Sequence, residues 1–242
     1  ADNMENITLS VFVPCFNEEK NITMTLNNIR EAIENINYEI LIVNDGSTDK
    51  TADMAEKFKK DNPNLNIKIF HNEKNVGLGS IYYSTAFKAS GKYYMLVNGD
   101  AVDPPSEIKK IVKNLGKADM ILPNIIDRRN FTRKIISRLF VIIMNLITFN
   151  NLKYYNGQVL HLTENVKFYG RSVPGFGYQA ELITTLLLHK KTYLEVSIEL
   201  TNRLYGTTAV FSLRNILSVV NTTINIFLNQ LVYLIKKIFK IN

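Results

Sequence analysis

Amide and carboxylate side chains end an apolar run near the middle of the chain, in the stretch YYMLVNGDAVDPP at residues 93–105. The oxygen-bearing side chains are Asn98, Asp100 and Asp103. One or two carboxylates, completed by the phosphates of a substrate, commonly hold Mg²⁺ or Mn²⁺ in proteins. The first position is an amide here and carries no charge. The stretch alone therefore permits a working cation site with a changed ligand, a dead site or a polar turn.

Polar residues follow three other apolar runs in the same way. They are Asn17 and Glu18 after ITLSVFVP, Asp45 at the end of YEILIVND, and Lys74 and Asn75 after IKIFH. If the runs are parallel strands, their carboxyl ends meet in one crevice, where helix N-termini favour phosphate. The sequence has no P-loop and no G-x-G-x-x-G fingerprint after its first strand, which disfavours those two nucleotide-binding classes. We therefore predict a nucleotide bound through Asp45, with its diphosphate near Asp100.

The apolar runs alternate with helical patterns. After the first run, apolar residues recur at steps of three and four, at Ile22, Leu26, Ile29, Ile33 and Ile36. Apolar strands without polar interruption, alternating with such helices, are typical of a parallel sheet covered on both faces. We predict an α/β fold with a Rossmann-like, mostly parallel sheet and helices on both faces. Beyond Leu122 the pattern loosens, and we expect residues 154–178 to be loop with short strands.

The composition indicates which kinds of ligand and partner the protein could bind. The 242 residues carry a net charge of +7, which favours anionic partners. The single cysteine excludes an internal disulfide framework, and the three histidines lack the spacing of a zinc site. We expect phosphorylated ligands and an anionic membrane surface as partners, and no nucleic acid.

Four successive motifs resemble those of the family 2 glycosyltransferases with the GT-A fold. They are VFVPCFNEEKNI, YEILIVNDGSTDKT, NEKNVGLGSIYYSTAFKAS and LVNGDAVDPPSEI, between residues 7 and 122. The branch with the strongest likeness is the dolichyl- or polyprenyl-phosphate sugar synthases. The resemblance implies inverting transfer of a sugar from a UDP- or GDP-linked donor. The nucleotide-binding residues that it implies are Pro14, Asn17, Glu18, Asp45, Gly46, Lys74, Asn75, Gly77, Asn98 and Asp100.

Three departures from the family pattern bear on catalysis. Asn98-Gly99-Asp100 stands where the family has Asp-x-Asp, and Val102 and Asp103 stand near the position of a glutamine that often serves as a third ligand. The later family pattern of Arg, Gly, Ser and Lys becomes Arg203, Gly206, Thr208 and Ala209, so one phosphate-binding cation is missing. Because Asp100 is retained, we interpret the site as a working but weaker Mg²⁺ or Mn²⁺ site, with Asp100, Asn98 and Asp103 as its ligands. The predicted catalytic residues are Asp100, Arg203 and Glu181, of which Glu181 would be a base for a hydroxyl acceptor.

The second half carries basic and apolar surfaces. Arg128, Arg129 and Arg133 precede the apolar stretch LFVIIMNLITF, and we predict that they bind the phosphate of a lipid acceptor; a merely solvated face is the alternative. Residues 212–242 combine a broad apolar face with a narrow amide stripe and terminal lysines, which predicts an amphipathic helix lying in the membrane interface. Packing on the domain or on a partner subunit is the alternative.

These expectations give one GT-A domain at residues 1–211, with a nucleotide-sugar half at 7–122 and an acceptor half at 123–211, followed by the membrane-associating helix. The leading hypothesis is sugar transfer to polyprenyl phosphate by a peripheral enzyme on the cytoplasmic face of the membrane. Transfer to a saccharide hydroxyl and a catalytically silent nucleotide-sugar-binding or membrane-assembly protein are the alternatives. A homo-oligomer is left open.

Overall fold

The computed structural model describes residues 6–126, 131–173, 175–205 and 213–239, without the side chains of residues 131–133 and 213–215. The strands in these ranges are β1 (Leu9–Cys15), β2 (Tyr38–Asp45), β3 (Ile67–Asn72), β4 (Tyr93–Leu96), β5 (Met120–Ile126), β6 (Leu160–Leu162) and β7 (Tyr193–Glu199). The helices are α1 (Ile22–Ala32), α2 (Thr51–Asp61), α3 (Leu78–Ala86), α4 (Pro105–Val112), α5 (Phe131–Thr148), α6 (Thr163–Tyr169), α7 (Tyr178–Leu188) and α8 (Leu213–Phe239).

The strands form one mixed sheet in the order β3-β2-β1-β4-β6-β5-β7. The first four strands run parallel, and β5 pairs in parallel with β7. The short strand β6 lies antiparallel between β4 and β5. Since β4 and β5 both oppose β6, they point the same way, and their carboxyl ends lie at the same edge. The predicted mostly parallel α/β sheet is confirmed.

Apolar residues of each central strand divide between two clusters. Val11 and Ile40 belong to the cluster that includes α1, α2 and α4, whereas Phe12 and Leu41 belong to the cluster that includes α3, α6 and α7. Successive side chains of a strand point to opposite faces of a sheet. The two clusters are therefore the two faces of the core, and the prediction of helices on both faces is confirmed.

The second half is more regular than the sequence predicted. Residues 154–178, expected to be loop with short strands, contain β6 and α6. The helix α5 begins at Phe131 and contains all of the apolar stretch LFVIIMNLITF except its last residue, Phe149. Its exposed side carries large apolar residues as well, among them Ile135, Leu139 and Leu146, so the sequence does not separate a polar outer side from an apolar inner side.

The C-terminal helix is present as predicted, and it packs along α5 and α7. Its inner side presents Thr222, Ile226 and Gln230, each at most 5% exposed, at steps of four. Thr222 packs against Gly177 at the start of α7. The stripe predicted from the sequence includes Asn221, Thr222 and Asn229, and it does not wholly face solvent, because Thr222 points into the domain while the two asparagines are exposed. By length and composition, the segment Ile216–Phe239 could also cross a bilayer, which is weak evidence for membrane association.

Candidate active site

The predicted crevice forms where β1, β2 and β4 end. Cys15 lies opposite Asn44 in the parallel ladder, so the loops that follow β1 and β2 leave the sheet side by side. The loop after β4 returns to β1, where the backbone N–H of Gly99 donates to the carbonyl oxygen of Pro14 at 3.1 Å. The structure therefore brings the polar ends of β1, β2 and β4 together. The loop after β3 reaches the same place through its hydrogen bonds to Asp45.

Asp45 holds the loop that leads into α3. The carboxylate is 3% exposed. Its Oδ1 accepts hydrogen bonds from Asn72 Nδ2 at 2.7 Å and from the Val76 N–H at 3.1 Å, and its Oδ2 accepts from the Gly77 N–H at 3.0 Å. Asp45 is therefore a structural hub of the crevice. Its contact with a nucleotide base stays a prediction, for which Oδ2 retains one acceptor position.

Glycine is required beside this hub. Gly46 has φ +74°, and a Cβ there would lie 2.5 Å from the carbonyl carbon of Lys74 and 2.6 Å from the nitrogen of Asn75. The backbones of the β2 end and the 74–77 loop therefore touch directly. Gly77, with φ +99°, then starts α3. These contacts place Lys74, Asn75 and Gly77 at one wall of the crevice. Their role in nucleotide binding stays a prediction.

Asn17 ties the loop after β1 to the loop after β2. It has φ +56°, a left-handed conformation that asparagine tolerates better than most residues. Its Oδ1 accepts from the Thr48 N–H at 2.9 Å, and its own N–H donates to Ser47 Oγ at 2.9 Å. The side chain of Asn17 therefore shapes the loop, and any ligand contact from it would be additional.

Glu18, Arg203 and Asp100 form a charged group in the crevice. Arg203 places its guanidinium nitrogens 2.7 Å from Glu18 Oε1 and 3.7 Å from Asp100 Oδ2. Glu18 is 7% exposed, and its Oε2 accepts from Asn21 Nδ2 at 2.7 Å. Burial raises the pKa of Glu18, and the hydrogen bond from Asn21 and the charge of Arg203 offset part of that rise. The sequence nominated all three charged residues but gave no sign that they are partners.

Asp103 and Thr25 shape the loop that carries Asn98 and Asp100. Asp103 is 2% exposed, and its Oδ2 accepts from the backbone N–H of Asn98 at 3.3 Å. The Thr25 hydroxyl accepts from the Ala101 N–H at 3.0 Å and lies 3.3 Å from the Asn98 carbonyl oxygen. The buried Asp103 thus fixes the backbone of the loop at Asn98, and its role as a metal ligand stays a prediction. Thr25 was missed, because it lies inside α1 and only the fold brings it here.

The oxygen donors at this loop fit Mg²⁺ or Mn²⁺ only together with a substrate. Asp100 is a charged oxygen ligand with 24% of its side chain exposed, and Asn98 offers a neutral oxygen. Within the described ranges, no group of three histidine, cysteine, aspartate or glutamate residues could hold a metal by itself. A cation held by one or two protein oxygens and completed by phosphates matches this donor set.

Glu181 pairs with Arg171 at the start of α7. It is 4% exposed, and its Oε1 forms an ion pair with the largely exposed Arg171 guanidinium. The loop between these residues reaches the donor side of the crevice, because the Val173 carbonyl lies directly against Gly79 of α3. Oε1 of Glu181 is not free to receive a proton from an acceptor while Arg171 holds it. The sequence did not indicate Arg171.

The predicted acceptor residues are described only in part. Arg128 and Arg129 lie outside the described residues, and of Arg133 only the backbone, in the first turn of α5, is described. Gly206, Thr208 and Ala209 also lie outside. Because β5 ends at the same edge as β4, the chain that carries the basic residues leaves the sheet on the crevice side.

The comparison with protein-family models shows the family to which the chain belongs. The model of the glycosyl transferase family 2 matches residues 10–174, about two thirds of the chain and every strand-end motif. The chain belongs to this family. The resemblance inferred from the four motifs is confirmed.

Sequence relatives include lipid-phosphate sugar transferases. The dolichol-phosphate mannosyltransferase of Pyrococcus furiosus is 30% identical over 105 residues, which cover 43% of this chain and 29% of that protein. The dolichyl-phosphate beta-glucosyltransferase of Dictyostelium discoideum is 27% identical over 173 residues, covering 62% of this chain and 52% of that protein. The chain thus spans about half the length of these relatives or less.

Solved structures share the fold. The glucosyl-3-phosphoglycerate synthase of Mycobacterium tuberculosis, crystallised with Mn²⁺, UDP-glucose and phosphoglyceric acid, superimposes with a TM-score of 0.70. The alignment covers 91% of this chain and 79% of that one, at 16% identity. At this identity the likeness establishes the fold alone, and it agrees with the predicted GT-A architecture.

Proposed function

We propose that the protein transfers a sugar, with inversion at the anomeric carbon, from a nucleotide-diphosphate-sugar to a polyprenyl phosphate at the cytoplasmic face of a membrane. The observation that carries the proposal is the crevice in which Asp45 and the Glu18–Arg203–Asp100 group lie at adjoining strand ends. The relatives named for dolichyl-phosphate sugars support the lipid acceptor. The neighbour crystallised with UDP-glucose supports the nucleotide-sugar donor.

The donor would lie between the 74–77 wall and the Asp100 loop. Asp45 fixes that wall through the Val76 and Gly77 N–H groups, so the base and ribose meet a preorganised surface. The diphosphate would reach Arg203, whose Nη1 lies 3.7 Å from Asp100 and could donate a charge-assisted hydrogen bond to a phosphate oxygen. Asp100 and Asn98 would hold the divalent cation, which when bound neutralises charge on the leaving diphosphate.

The acceptor chemistry favours an ionised phosphate over a hydroxyl. A phosphate monoester arrives with its nucleophilic oxygen already ionised and needs orientation rather than a base. A hydroxyl needs a base within hydrogen-bond reach. The described base candidate, Glu181, is buried and paired with Arg171. Arg128 and Arg129 follow β5 and precede α5 in the chain. They would supply the positive charge that an incoming lipid phosphate needs.

Nucleotide binding provides the test. UDP, GDP and their sugar conjugates are titrated by calorimetry with and without Mn²⁺, using the intact protein and Asp45→Ala. We expect saturable binding of one nucleotide family and at least a tenfold loss in Asp45→Ala, since the wall loses an acceptor for three donors. Asp61→Ala, an exposed carboxylate at the end of α2, is the matched control and should bind normally. Equal affinities in both variants, with melting curves that show intact folding, would remove the crevice as the donor site.

A further inference from the structure

The helix α5 is apolar on the side that faces away from the domain as well as on the side that faces it. Met144 is completely buried and Thr148 is 6% exposed, which defines the inner side. The outer side carries large apolar residues at helical spacing, each between 42% and 70% exposed: Ile135, Ile136, Leu139, Ile142, Ile143 and Leu146. Large apolar side chains in this number on one exposed helix face normally contact a partner or a membrane. Within the part of the chain that the structure describes, the outer face of α5 is not covered.

The helix α8 shows the same pattern. Its inner side packs on α5 and α7 through Thr222, Ile226 and Gln230. Its outer side exposes Leu217, Val220, Ile224, Phe227, Leu228, Leu231, Ile235 and Ile238, each by 42% or more. Apolar patches of this extent on a soluble domain usually mark a surface that binds a partner or a membrane.

The two outer faces are continuous. Near the end of α5, the exposed residues Leu146 and Phe149 line a groove together with the exposed Phe227 and Leu231 of α8. The groove has a volume of about 240 Å³ and an almost wholly apolar lining. Because residues of both helices are exposed within one groove, α5 and α8 present a single apolar surface. We call this the α5–α8 face.

The charges that border the α5–α8 face are positive. Lys134 and Arg138 are exposed near the start of α5, and Lys236 and Lys237 are exposed near the end of α8. Neither helix contains an acidic residue. Apolar surface bordered by basic side chains is the complement of an anionic bilayer, which offers hydrocarbon below and phosphate at headgroup level.

We propose that the α5–α8 face inserts as one unit into the interface of an anionic lipid bilayer, so that the domain lies on the membrane through two helices. This inference rests on the proposed function and deepens it: α5, and not the C-terminal helix alone, contacts lipid, and the groove between them receives a hydrocarbon chain. A second copy of the chain is a poorer occupant, because paired faces would bury basic borders with no acidic side chain on α5 or α8 to neutralise them.

Single tryptophans test each helix separately, since the chain contains no tryptophan. Ile143→Trp reports on α5, Leu228→Trp reports on α8, and Phe87→Trp, 56% exposed beyond the end of α3, is the control. Each variant of the full chain is mixed with vesicles of phosphatidylcholine and phosphatidylglycerol that contain no polyprenyl phosphate. We expect blue-shifted emission and quenching by bromine-labelled acyl chains for both helix positions, and neither effect for the control.

A second experiment measures how a carboxylate on the outer face of α5 changes the affinity for vesicles. Leu139→Glu places a carboxylate on the outer face of α5, and Phe87→Glu makes the same change at the control site. We expect Leu139→Glu to weaken vesicle binding about tenfold, while Phe87→Glu leaves it unchanged and both variants bind nucleotide normally. Insertion of the α8 reporter alone would overturn the proposal, as would absence of both signals. A blue shift without vesicles, accompanied by a doubled mass in solution, would replace the bilayer by a second copy. Failure of sugar transfer with intact insertion would count against the proposed function and not against this inference.

Discussion

Removing the positive charge of Arg203 should destabilise the protein in a pH-dependent way. The substitution Arg203→Gln leaves Glu18, which is 7% exposed, without the guanidinium that lies 2.7 Å away. Breaking a fully buried ion pair by removing one partner costs about 3–5 kcal/mol. Because 21% of the Arg203 side chain is exposed, water can replace part of the lost interaction. We expect a loss of about 2 kcal/mol in the free energy of unfolding at pH 8.

The direction of the pH dependence follows from the pKa of Glu18. Burial raises this pKa in the folded state above its ordinary value of 4.5, and Arg203 is one of the influences that lower it. A raised folded pKa gives a stabilising contribution that is complete below the unfolded value and is lost as the pH rises through the folded one. Arg203→Gln raises the folded pKa of Glu18 further, so its destabilisation should be largest at pH 8 and should shrink as the pH falls toward 4.5.

Urea unfolding followed by far-ultraviolet circular dichroism, at pH 5 and pH 8, measures this difference. The double variant Glu18→Gln/Arg203→Gln removes the buried charge together with its partner and should recover stability at pH 8 relative to Arg203→Gln. An equal loss at both pH values, or a double variant no more stable than the single one, would refute the assignment of Glu18 and Arg203 as a coupled pair.

Three further substitutions examine the cation loop and the donor wall. Asn98→Asp adds a second carboxylate to the Asp100 loop and should lower the Mn²⁺ concentration for half-maximal nucleotide binding several-fold, whereas Asp100→Ala should abolish transfer; retained activity in Asp100→Ala would end the metal assignment. Gly46→Ala introduces a Cβ within 2.7 Å of the Lys74 and Asn75 backbones at a positive φ and should lower stability by about 2 kcal/mol, measured by urea unfolding, together with nucleotide affinity. An unchanged midpoint for Gly46→Ala would show that the wall is not tightly packed there.

The first half of the fold could be predicted because its signals are local. Each of β1 to β4 is an apolar run, and each ends on the polar residues that form the crevice. Asp45 and Asp100 were therefore located at the sheet edge from the sequence. The hydrogen bonds from Val76 and Gly77 to Asp45 cross about thirty residues and required the fold to be seen.

The second half could not be predicted to the same extent, for two physical reasons. The helix α5 carries large apolar residues on its exposed side as well as on its inner side, so the sequence does not show which side faces the core. The strand β6 spans only three residues, which pair antiparallel inside a mostly parallel sheet. The pairing of Glu18 with Arg203 joins residues 185 positions apart, and the pairing of Glu181 with Arg171 joins a helix to an irregular loop. Neither ion pair could be predicted from the spacing of its residues along the chain.

Removal of α8 is a poor test of the membrane role that the sequence predicts for this helix. Ile226 is 2% exposed and belongs to the same apolar cluster as Met144 and Tyr178. Deleting the helix would expose that cluster, so loss of membrane binding could not be separated from loss of folding. Substitutions on the outer face leave the inner contacts in place and are the appropriate perturbation.

Formation of a lipid-linked sugar tests the central claim most directly. The intact protein is incubated with Mn²⁺, UDP- and GDP-linked sugars, and either polyprenyl phosphate in anionic vesicles or soluble saccharides, and the products are identified by mass spectrometry and the anomeric proton by nuclear magnetic resonance. We predict a polyprenyl-phosphate sugar whose anomeric configuration is opposite to that of the donor, and none with Asp100→Ala. Transfer to a soluble saccharide hydroxyl without any lipid-linked product, or a product that retains the donor configuration, would contradict the account.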